Sequence, residues 1–424
     1  MQKLTLTIFL LFYWAIGIAQ EQKPTQILSG IINLHEVGNN NQNFEGYESL
    51  KAILKDVEIV ALGEQTHYDG TTTETKVKLI QYLHREMGFD ILVYESGFYD
   101  CNKAWDQIQE GADIGVILGK SLPNTWAVTR QVDPLISYIA THAKSEYPLQ
   151  VMGLDYQFSP ITALENFIAD LRKEIHITDP EILQTKEWEH LENTLNLSLQ
   201  YDRKALKKRN VAGDTIYINS LISLFQDNAA NPFWMQVLEN NKANLADQAF
   251  GKYTRDKKMA ENLMWIKEQY PDKKIICWGA TSHFLYKSES IKFKSPFVQI
   301  IVGNYYKKYP SMGNFIKEKY GDRFYTVGFT TFGGEIGFGS TGEIKSAKEG
   351  SIEYVLNQSP FDNAFLPLDQ SFKNYFSRPL GHKYMKNDIS DVMDAVIFNR
   401  KMTALELNKE LYIQIYPESE LANP

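Results

Sequence analysis

The chain has 424 residues, of which 43% are hydrophobic and 23% are charged. This length and composition allow a full hydrophobic core in one large domain or in two. The formal net charge is −8, and Lys and Arg are scattered along the sequence. No basic stripe is available to neutralise phosphates, so we expect no nucleic-acid partner.

The first 19 residues predict a secretory signal peptide. Lys3 precedes an uncharged apolar run from Leu4 to Ala19, and the chain turns polar at Gln20. Gly17 and Ala19 satisfy the small-residue rule for cleavage after Ala19. The run is shorter than the about 20 residues of a membrane span, although a retained anchor is the alternative. We therefore predict an exported protein, periplasmic or secreted, with no stable membrane span after cleavage.

Residues 20–160 have the pattern of an α/β sheet. The segments "VEIVALGE", "DILVYESG" and "LQVMGLDYQ" are apolar runs that predict strands, and the helix "TTETKVKLIQYLHREMGF" separates the first two. The runs are continuous rather than alternating, which is typical of strands buried on both faces of a parallel sheet. Strand and helix alternate in the order that a β-α-β unit requires.

The middle of the chain, residues 161–250, reads as helices with charged faces and predicts a helical insertion. The α/β pattern returns in residues 251–424, where "KKIICWGA", "FVQIIVGN" and "MDAVIFNR" predict strands and "FYTVGFTTFGGEIGF" has glycines placed for a hairpin. We predict an α/β fold with a mostly parallel central sheet flanked by helices. Residues 20–160 and 251–424 would together form the catalytic domain.

Polar side chains of catalytic type follow four of the predicted strands. They are Glu64 and His67, then Glu95, then Asp155, and finally His283. Ligands in open α/β sheets bind beyond the carboxyl ends of the strands. Taken singly, each residue is explained as well by turn chemistry or by a solvated loop. Four strands that end in this way together favour a site.

Six segments also resemble a known family. In chain order they are "LGEQTH", "EMGFDILVYE", "VMGLDYQ", "RDKKMAENLMW", "IICWGATSHF" and "MGNFIKEKYGDRFYTVGFT". Their order and spacing resemble those of the erythromycin esterase family, from about residue 55 to 400. Members hydrolyse the macrolactone of erythromycin-type antibiotics or other substrates. The resemblance therefore implies a hydrolase for a small-molecule ester or lactone, with a macrolide as one candidate.

The resemblance also implies site residues. The family motif GExxH falls on Glu64 and His67, with the histidine as the base that activates water. The second glutamate of the family falls on Glu95 and its basic residue on Lys76. Arg255 occupies a position from which it could face the site, and we assign substrate binding to Lys76, Asp155 and Arg255 together.

One family position is changed. The family sequence WAHNGH falls on "WGATSH", so its second histidine is His283, but Ala280 replaces its first. The loss of one imidazole from the pocket bears on whether hydrolysis is retained and on whether a macrolide is the substrate.

The same residues support a mechanism on chemical grounds. A histidine of ordinary pKa, about 6.5, can take a proton from water at neutral pH, and a carboxylate can orient its ring. This makes His67 the base and Glu64 or Glu95 its partner, while His283 or Lys76 could stabilise the oxyanion. The GxSxG motif of a nucleophilic serine does not occur in the sequence.

Two alternatives stay open at this stage. Glu64, His67, Glu95 and His283 have the ligand types of a divalent-metal site, although we predict no cofactor. Alternatively, the protein is a non-catalytic periplasmic relative that binds a small molecule in the same cleft, which Ala280 favours.

Overall fold

The computed structural model describes residues 28, 30–35, 37, 43–159, 161–369, 372 and 375–419. The predicted signal peptide, residues 1–19, lies outside the described residues. Among the helices of the described part, none combines the length and the apolar character needed to cross a membrane.

A large mixed sheet forms the centre of the fold. Nine strands of the described chain belong to it, in the order β1-β8-β11-β6-β2-β5-β3-β4, and β7 pairs with β6. The six neighbouring strands β11, β6, β2, β5, β3 and β4 run parallel to one another. The antiparallel pairs are β1 with β8, β8 with β11, and β7 with β6. The predicted α/β fold with a mostly parallel central sheet is confirmed. The strands are β1 Ile32–Asn33, β2 Ile59–Glu64, β3 Phe89–Gly97, β4 Gln150–Asp155, β5 Lys274–Ala280, β6 Phe324–Phe338, β7 Ser340–Ile344, β8 Asn363–Pro367, β11 Ala395–Met402 and, in a separate hairpin, β9 Ser377–Leu380 and β10 Lys383–Met385.

Helices surround this sheet. Those before residue 161 are Leu50–Ile53, Gly70–Met87, Phe98–Glu110, Ile114–Ser121, Asn124–Ala127 and Asp133–His142. The middle segment contains Thr162–Thr178, Lys186–Leu199, Arg203–Leu206, Val211–Asp227 and Pro232–Phe250. The remaining α-helices are Arg255–Gln269, Thr281–Phe284, Pro296–Val298, Asn304–Lys308, Met312–Tyr320, Ile352–Leu356 and Lys409–Ile415.

The two faces of the sheet pack against different cores. In β2, Val60 and Leu62 belong to one buried cluster, and Ile59 and Ala61 belong to the other. This alternation follows from the two-residue period of a strand. Buried residues of the middle segment, such as Phe167, lie in the same cluster as Ile59. The helices of residues 162–250 therefore lie on the side of the sheet that Ile59 faces, where they pack against the helices Phe98–Glu110 and Arg255–Gln269. Their separation as an insertion stays a prediction.

One predicted strand is wrong. The run "FVQIIVGN" forms the short helix Pro296–Val298, which continues as the π-helix Gln299–Gly303. Proline is well suited to the first turn of a helix because it lacks the N–H that would go unbonded there. The Ser295 side chain also caps this end by accepting a hydrogen bond from the Val298 N–H at 3.4 Å. The β-branched residues of this run favoured a strand, but the proline and the serine cap at its start favour the helix that forms.

Candidate active site

The carboxyl ends of four neighbouring strands converge at one edge of the sheet. In sheet order, β2 ends at Glu64, β5 at Ala280, β3 just beyond Glu95 and β4 at Asp155. All four strands are parallel, so their ends meet at the same edge. The structure thus brings together the strand ends that the sequence singled out.

Glu64 anchors the first part of the site. Its side chain is buried, and Oε1 accepts hydrogen bonds from His67 Nδ1 at 2.9 Å and from Trp126 Nε1 at 3.0 Å. The His67 ring also packs edge-on against the Trp126 ring, with centroids 4.9 Å apart. The imidazole is therefore held by a hydrogen bond on one side and by an aromatic contact on the other.

His67 is placed to act as a base. Its side chain is 42% exposed, and within the described part of the chain no hydrogen bond involves Nε2. Burial lowers the pKa of His67 below its ordinary value, and the charges of Glu95 and Asp69 oppose this shift. Because Nδ1–H donates to Glu64, Nε2 of the neutral ring carries the lone pair. At neutral pH the residue therefore presents a proton acceptor at the protein surface.

Lys76 lies beneath Glu64. Its ammonium group bonds Glu64 Oε2, donates to the Gly279 carbonyl at 3.1 Å and lies 4.9 Å from the Trp278 ring centroid. Burial lowers the pKa of Lys76, and the charge of Glu95 opposes this. The predicted contact of Lys76 with substrate does not fit this position, because the side chain is fully buried. Lys76 is instead the buried partner of Glu64 Oε2, while Oε1 of the same carboxylate holds His67.

Arg255 joins the two carboxylates of the other half of the site. Arg255 Nη2 donates to Glu95 Oε1 at 2.9 Å, and Nε donates to Asp155 Oδ2 at 2.7 Å. Burial alone would lower the pKa of Arg255, but the two carboxylates raise it well above its usual value. The Arg255 side chain is 19% exposed, whereas Asp155 is buried.

His283 lies between two carboxylates. Nε2 is 3.0 Å from Glu95 Oε1, and Nδ1 is 2.8 Å from Asp256 Oδ1. Burial acts to lower the pKa of His283, but Asp256 and Glu95 outweigh it and raise the pKa to about 10. Burial likewise acts to raise the pKa of Glu95, but His283 and Arg255 hold it below its usual range. His283 is therefore an imidazolium at neutral pH and a poor proton acceptor.

Ala280 adjoins both halves of the site. It pairs with Glu64 in the register of β2 and β5, and its N–H donates to Glu95 Oε2 at 2.8 Å. The preceding pair consists of two glycines, Gly63 and Gly279. A Cβ at Gly279 would lie 2.8 Å from Glu95 Oε2, and one at Gly63 would lie 2.6 Å from a backbone atom of Thr281. Glycine at position 279 therefore leaves room for the Glu95 carboxylate, and glycine at position 63 leaves room for the backbone of Thr281.

Three of the four residues of the metal alternative are held by charged partners within the protein, and His67 bonds Glu64 through Nδ1. Glu64 is paired with Lys76, Glu95 with Arg255, and both ring nitrogens of His283 with carboxylates. Among the described residues, no group of three or more His, Cys, Asp or Glu side chains is arranged to hold a metal ion. The donor set therefore fits a network of ion pairs and does not fit a metal centre.

Some residues of the site have roles that the sequence did not reveal. The role of Trp126 as a donor to Glu64 has no local signal. Asp256 reads as an ordinary first-turn charge of a helix, yet it bonds His283 and also accepts the Met312 N–H at 3.1 Å. His382 Nε2 lies 3.1 Å from Asp69 Oδ1, on the loop that carries His67. Of these three residues, only Asp256 had a sequence signal for a role in the site, namely its position next to Arg255.

Comparisons with known proteins identify the family of this chain. The family model described as erythromycin esterase matches residues 84–402. YbfO of Bacillus subtilis (strain 168), whose name classes it provisionally as a hydrolase, is 27% identical over 357 residues, which cover 76% of this chain and 73% of YbfO. This chain belongs to the erythromycin esterase family, and the resemblance seen in the sequence is confirmed. The match begins after Glu64, His67 and Lys76, so those positions rest on the structure.

Solved structures share the fold. A succinoglycan biosynthesis protein has a TM-score of 0.73 at 18% identity, with 91% of this chain and 98% of that chain covered. A protein from Bacillus cereus has a TM-score of 0.71 at 18% identity, again with 91% of this chain and 98% of that chain covered. A point mutant of the erythromycin esterase EreC, in its open conformation, has a TM-score of 0.66 at 15% identity, with 89% and 98% covered.

Proposed function

We propose that the protein is a hydrolase that cleaves an ester or lactone bond of a small molecule by attack of a water molecule activated by His67. The observation that carries the proposal is the His67–Glu64 pair. Its 2.9 Å hydrogen bond fixes Nδ1, and the exposed side of the ring leaves Nε2 open to the cleft. General base catalysis of this kind contributes about 10²–10⁴-fold to a rate.

In this mechanism Nε2 of His67 removes a proton from water as the water attacks the carbonyl carbon. The Glu64 carboxylate stabilises the resulting imidazolium, because it accepts the Nδ1 hydrogen bond. Negative charge then develops on the carbonyl oxygen, and fixed positive charges stabilise it. Arg255 and His283 supply such charges, and the Arg255 side chain is the more exposed of the two. The tetrahedral intermediate then collapses by breaking its C–O bond to the alcohol oxygen, and this leaving alkoxide takes the proton from His67.

The relatives support the class of reaction and one candidate substrate. EreC is named as an erythromycin esterase, which makes a macrolide lactone a substrate to test for this chain. We further propose that the protein is exported, on the basis of the apolar leader that ends at Ala19.

A second candidate function is small-molecule binding without hydrolysis. Its support is Ala280, which pairs with Glu64 in the sheet. An imidazole at position 280 would adjoin the Glu64–His67 pair, and the alanine supplies neither a proton donor nor an acceptor. The cleft would then recognise its ligand through Arg255 and leave it intact.

The test compares the purified protein with two variants on a panel of macrolides, simple lactones and aryl esters. His67→Ala removes the base, and His176→Ala removes an exposed imidazole of the helical segment as a matched control. We expect hydrolysis by the wild type and the control, and a rate lower by about 10²-fold or more for His67→Ala. Equal rates in the two variants would contradict the mechanism. Calorimetric binding of a panel member without turnover would support the second candidate.

A further inference from the structure

The segment that the sequence mispredicted as a strand exposes a cluster of large apolar side chains. Phe297 is 72% exposed, Ile300 66% and Ile301 54%. They account for three of the ten large hydrophobic residues exposed in the described part of the chain, within five consecutive positions. We call Phe297, Ile300 and Ile301 the apolar lip. Contiguous exposed apolar surface commonly marks an interaction site.

The opposite face of the same segment is fixed to the protein. Val298, Val302 and Tyr305 pack against a buried cluster that also contains Tyr306. The lip residues have helical spacing, i, i+3 and i+4, and share the outer face. The segment is therefore apolar on both faces, and the protein covers only the inner one.

Lysines surround the lip. Lys292 and Lys294 precede it, Lys307 and Lys308 follow it, and all four are exposed. No Asp or Glu occurs in residues 290–310, although the whole chain has a formal net charge of −8.

A second stretch adds positive charge beside the lip. The Lys386 N–H donates to the Lys292 carbonyl at 2.7 Å, which places the two residues on adjacent chain segments. Burial lowers the pKa of Lys294, and the nearby charges of Lys348 and Lys386 lower it further. The surface around the lip thus carries several like charges close together.

We propose that the apolar lip and its lysines bind the surface of a lipid bilayer that contains anionic lipids. Apolar side chains enter the boundary between headgroups and acyl chains, and lysines bind the anionic headgroups, which is how interfacial protein segments attach to membranes. A second copy of this chain is a poorer occupant, because a two-fold contact through the lip would bring the same lysines of both copies together.

Attachment at this surface would bring the rim of the candidate active site close to the lipid. The Tyr306 hydroxyl donates to the Ser282 carbonyl at 3.2 Å, and Ser282 precedes His283. The Tyr305 ring lies 5.7 Å from the ring of Tyr253, two residues before Arg255. The apolar lip therefore lies on the same helical segment as Tyr305 and Tyr306, which contact residues next to the site. An amphiphilic ligand would then reach the site along the bilayer surface.

Vesicle co-sedimentation tests the proposal. The chain is produced from Gln20 onwards, which retains every residue that the structure describes and removes the apolar leader that would itself enter lipid. Vesicles of phosphatidylcholine alone are compared with vesicles of phosphatidylcholine and phosphatidylglycerol. We expect the wild type to bind the anionic vesicles more tightly by about tenfold, and to release from them partly at high salt.

Two pairs of variants locate the binding surface. Ile300→Gln with Ile301→Gln should weaken binding to the anionic vesicles by about tenfold or more. The control, Ile177→Gln with Ile216→Gln, alters residues that are 69% and 68% exposed in the helical segment and should bind like the wild type. Thermal unfolding should be unchanged in both pairs, since all four side chains are exposed.

The charge is tested in the same way. Lys292→Glu with Lys294→Glu should abolish the preference for anionic vesicles, whereas Lys186→Glu with Lys204→Glu, on the exposed surface of the helical segment, should preserve it. The proposal is overturned if the wild type does not bind anionic vesicles, or if the lip variant binds as the wild type does. It is also overturned if ultracentrifugation shows a dimer that the lip variant dissociates, without vesicle binding.

Discussion

Ala280 and Glu64 occupy paired positions in the neighbouring parallel strands β5 and β2. Paired residues of a sheet project to the same face. A side chain at position 280 would therefore lie next to the carboxylate that holds His67, and a histidine there would be a direct neighbour of the proposed base.

This relationship predicts that Ala280→His raises activity. The new imidazole would supply a second proton donor or acceptor beside Glu64, and we expect kcat/KM for an ester substrate to rise by about tenfold or more. Ala280→Asn is the matched control, because it adds a polar side chain without a titratable nitrogen. Steady-state kinetics on the three proteins measures the effect, and an equal change in both variants would argue against it.

The buried Lys76–Glu64 pair predicts a strong coupling in stability. Lys76→Met leaves the Glu64 carboxylate buried without its cation, and we expect the free energy of unfolding to fall by about 3 kcal/mol or more. Combining it with Glu64→Gln removes the unpaired charge and should recover much of the loss. Urea unfolding of both single variants and the double variant completes the cycle. Additive losses would show that the two groups are not coupled.

The pKa of His67 predicts the pH dependence of the reaction. The base acts in its neutral form, so the rate should be constant at high pH and fall as His67 is protonated. Because burial lowers the pKa of His67 from 6.5, the midpoint of this acid limb in kcat/KM should lie below 6.5. A midpoint above 7 would be inconsistent with His67 as the base in this environment.

The raised pKa of His283 predicts a pH-dependent contribution to stability. The pKa is about 10 in the folded protein, against 6.5 for the ordinary residue. Its contribution is therefore complete below pH 6.5 and is lost as the pH rises towards 10. The loss of unfolding free energy in His283→Gln should be on the order of 3 kcal/mol at pH 6 and distinctly smaller at pH 9. A loss that does not change with pH would mean that His283 is not held as an imidazolium.

The Trp126 hydrogen bond predicts an effect on rate more than on stability. Trp126→Phe keeps an aromatic ring against His67 but removes the N–H that donates to Glu64 Oε1. We expect kcat to fall by about tenfold, since the partner carboxylate is less well oriented. Trp188→Phe is the control, because Trp188 is buried and its Nε1 has no hydrogen-bond partner within the described residues. Similar kcat values in the two variants would remove Trp126 from the mechanism.

The sheet could be predicted from the sequence because its strands are short apolar runs bounded by polar turns. The β2 and β11 segments are of this kind, and both form as expected. Residues 296–303 share that composition but form helical turns. Composition does not separate a strand from a helix in so short a run, and the proline and serine at its start were the better guide.

The site could be predicted only in part. Glu64 and Glu95 lie at the carboxyl ends of strands, and His67 and His283 come shortly after strands. Parallel strands place such residues at the same edge of the sheet. The pairing of charges could not be deduced, because it depends on contacts between residues far apart in the chain. The Arg255 contact with Glu95 spans 160 positions, and that of Trp126 with Glu64 spans 62.

The row of charges that runs from Asp155 through Arg255, Glu95 and His283 to Asp256 has a consequence for how the cleft responds to its surroundings. Signs alternate along this row, so loss of the proton from His283 would leave two carboxylates facing each other. The row therefore keeps one ionisation state across the neutral range, and the electric potential that it produces in the cleft is constant there. Any variation of ligand affinity between pH 7 and 8 would then report the ionisation of the ligand itself.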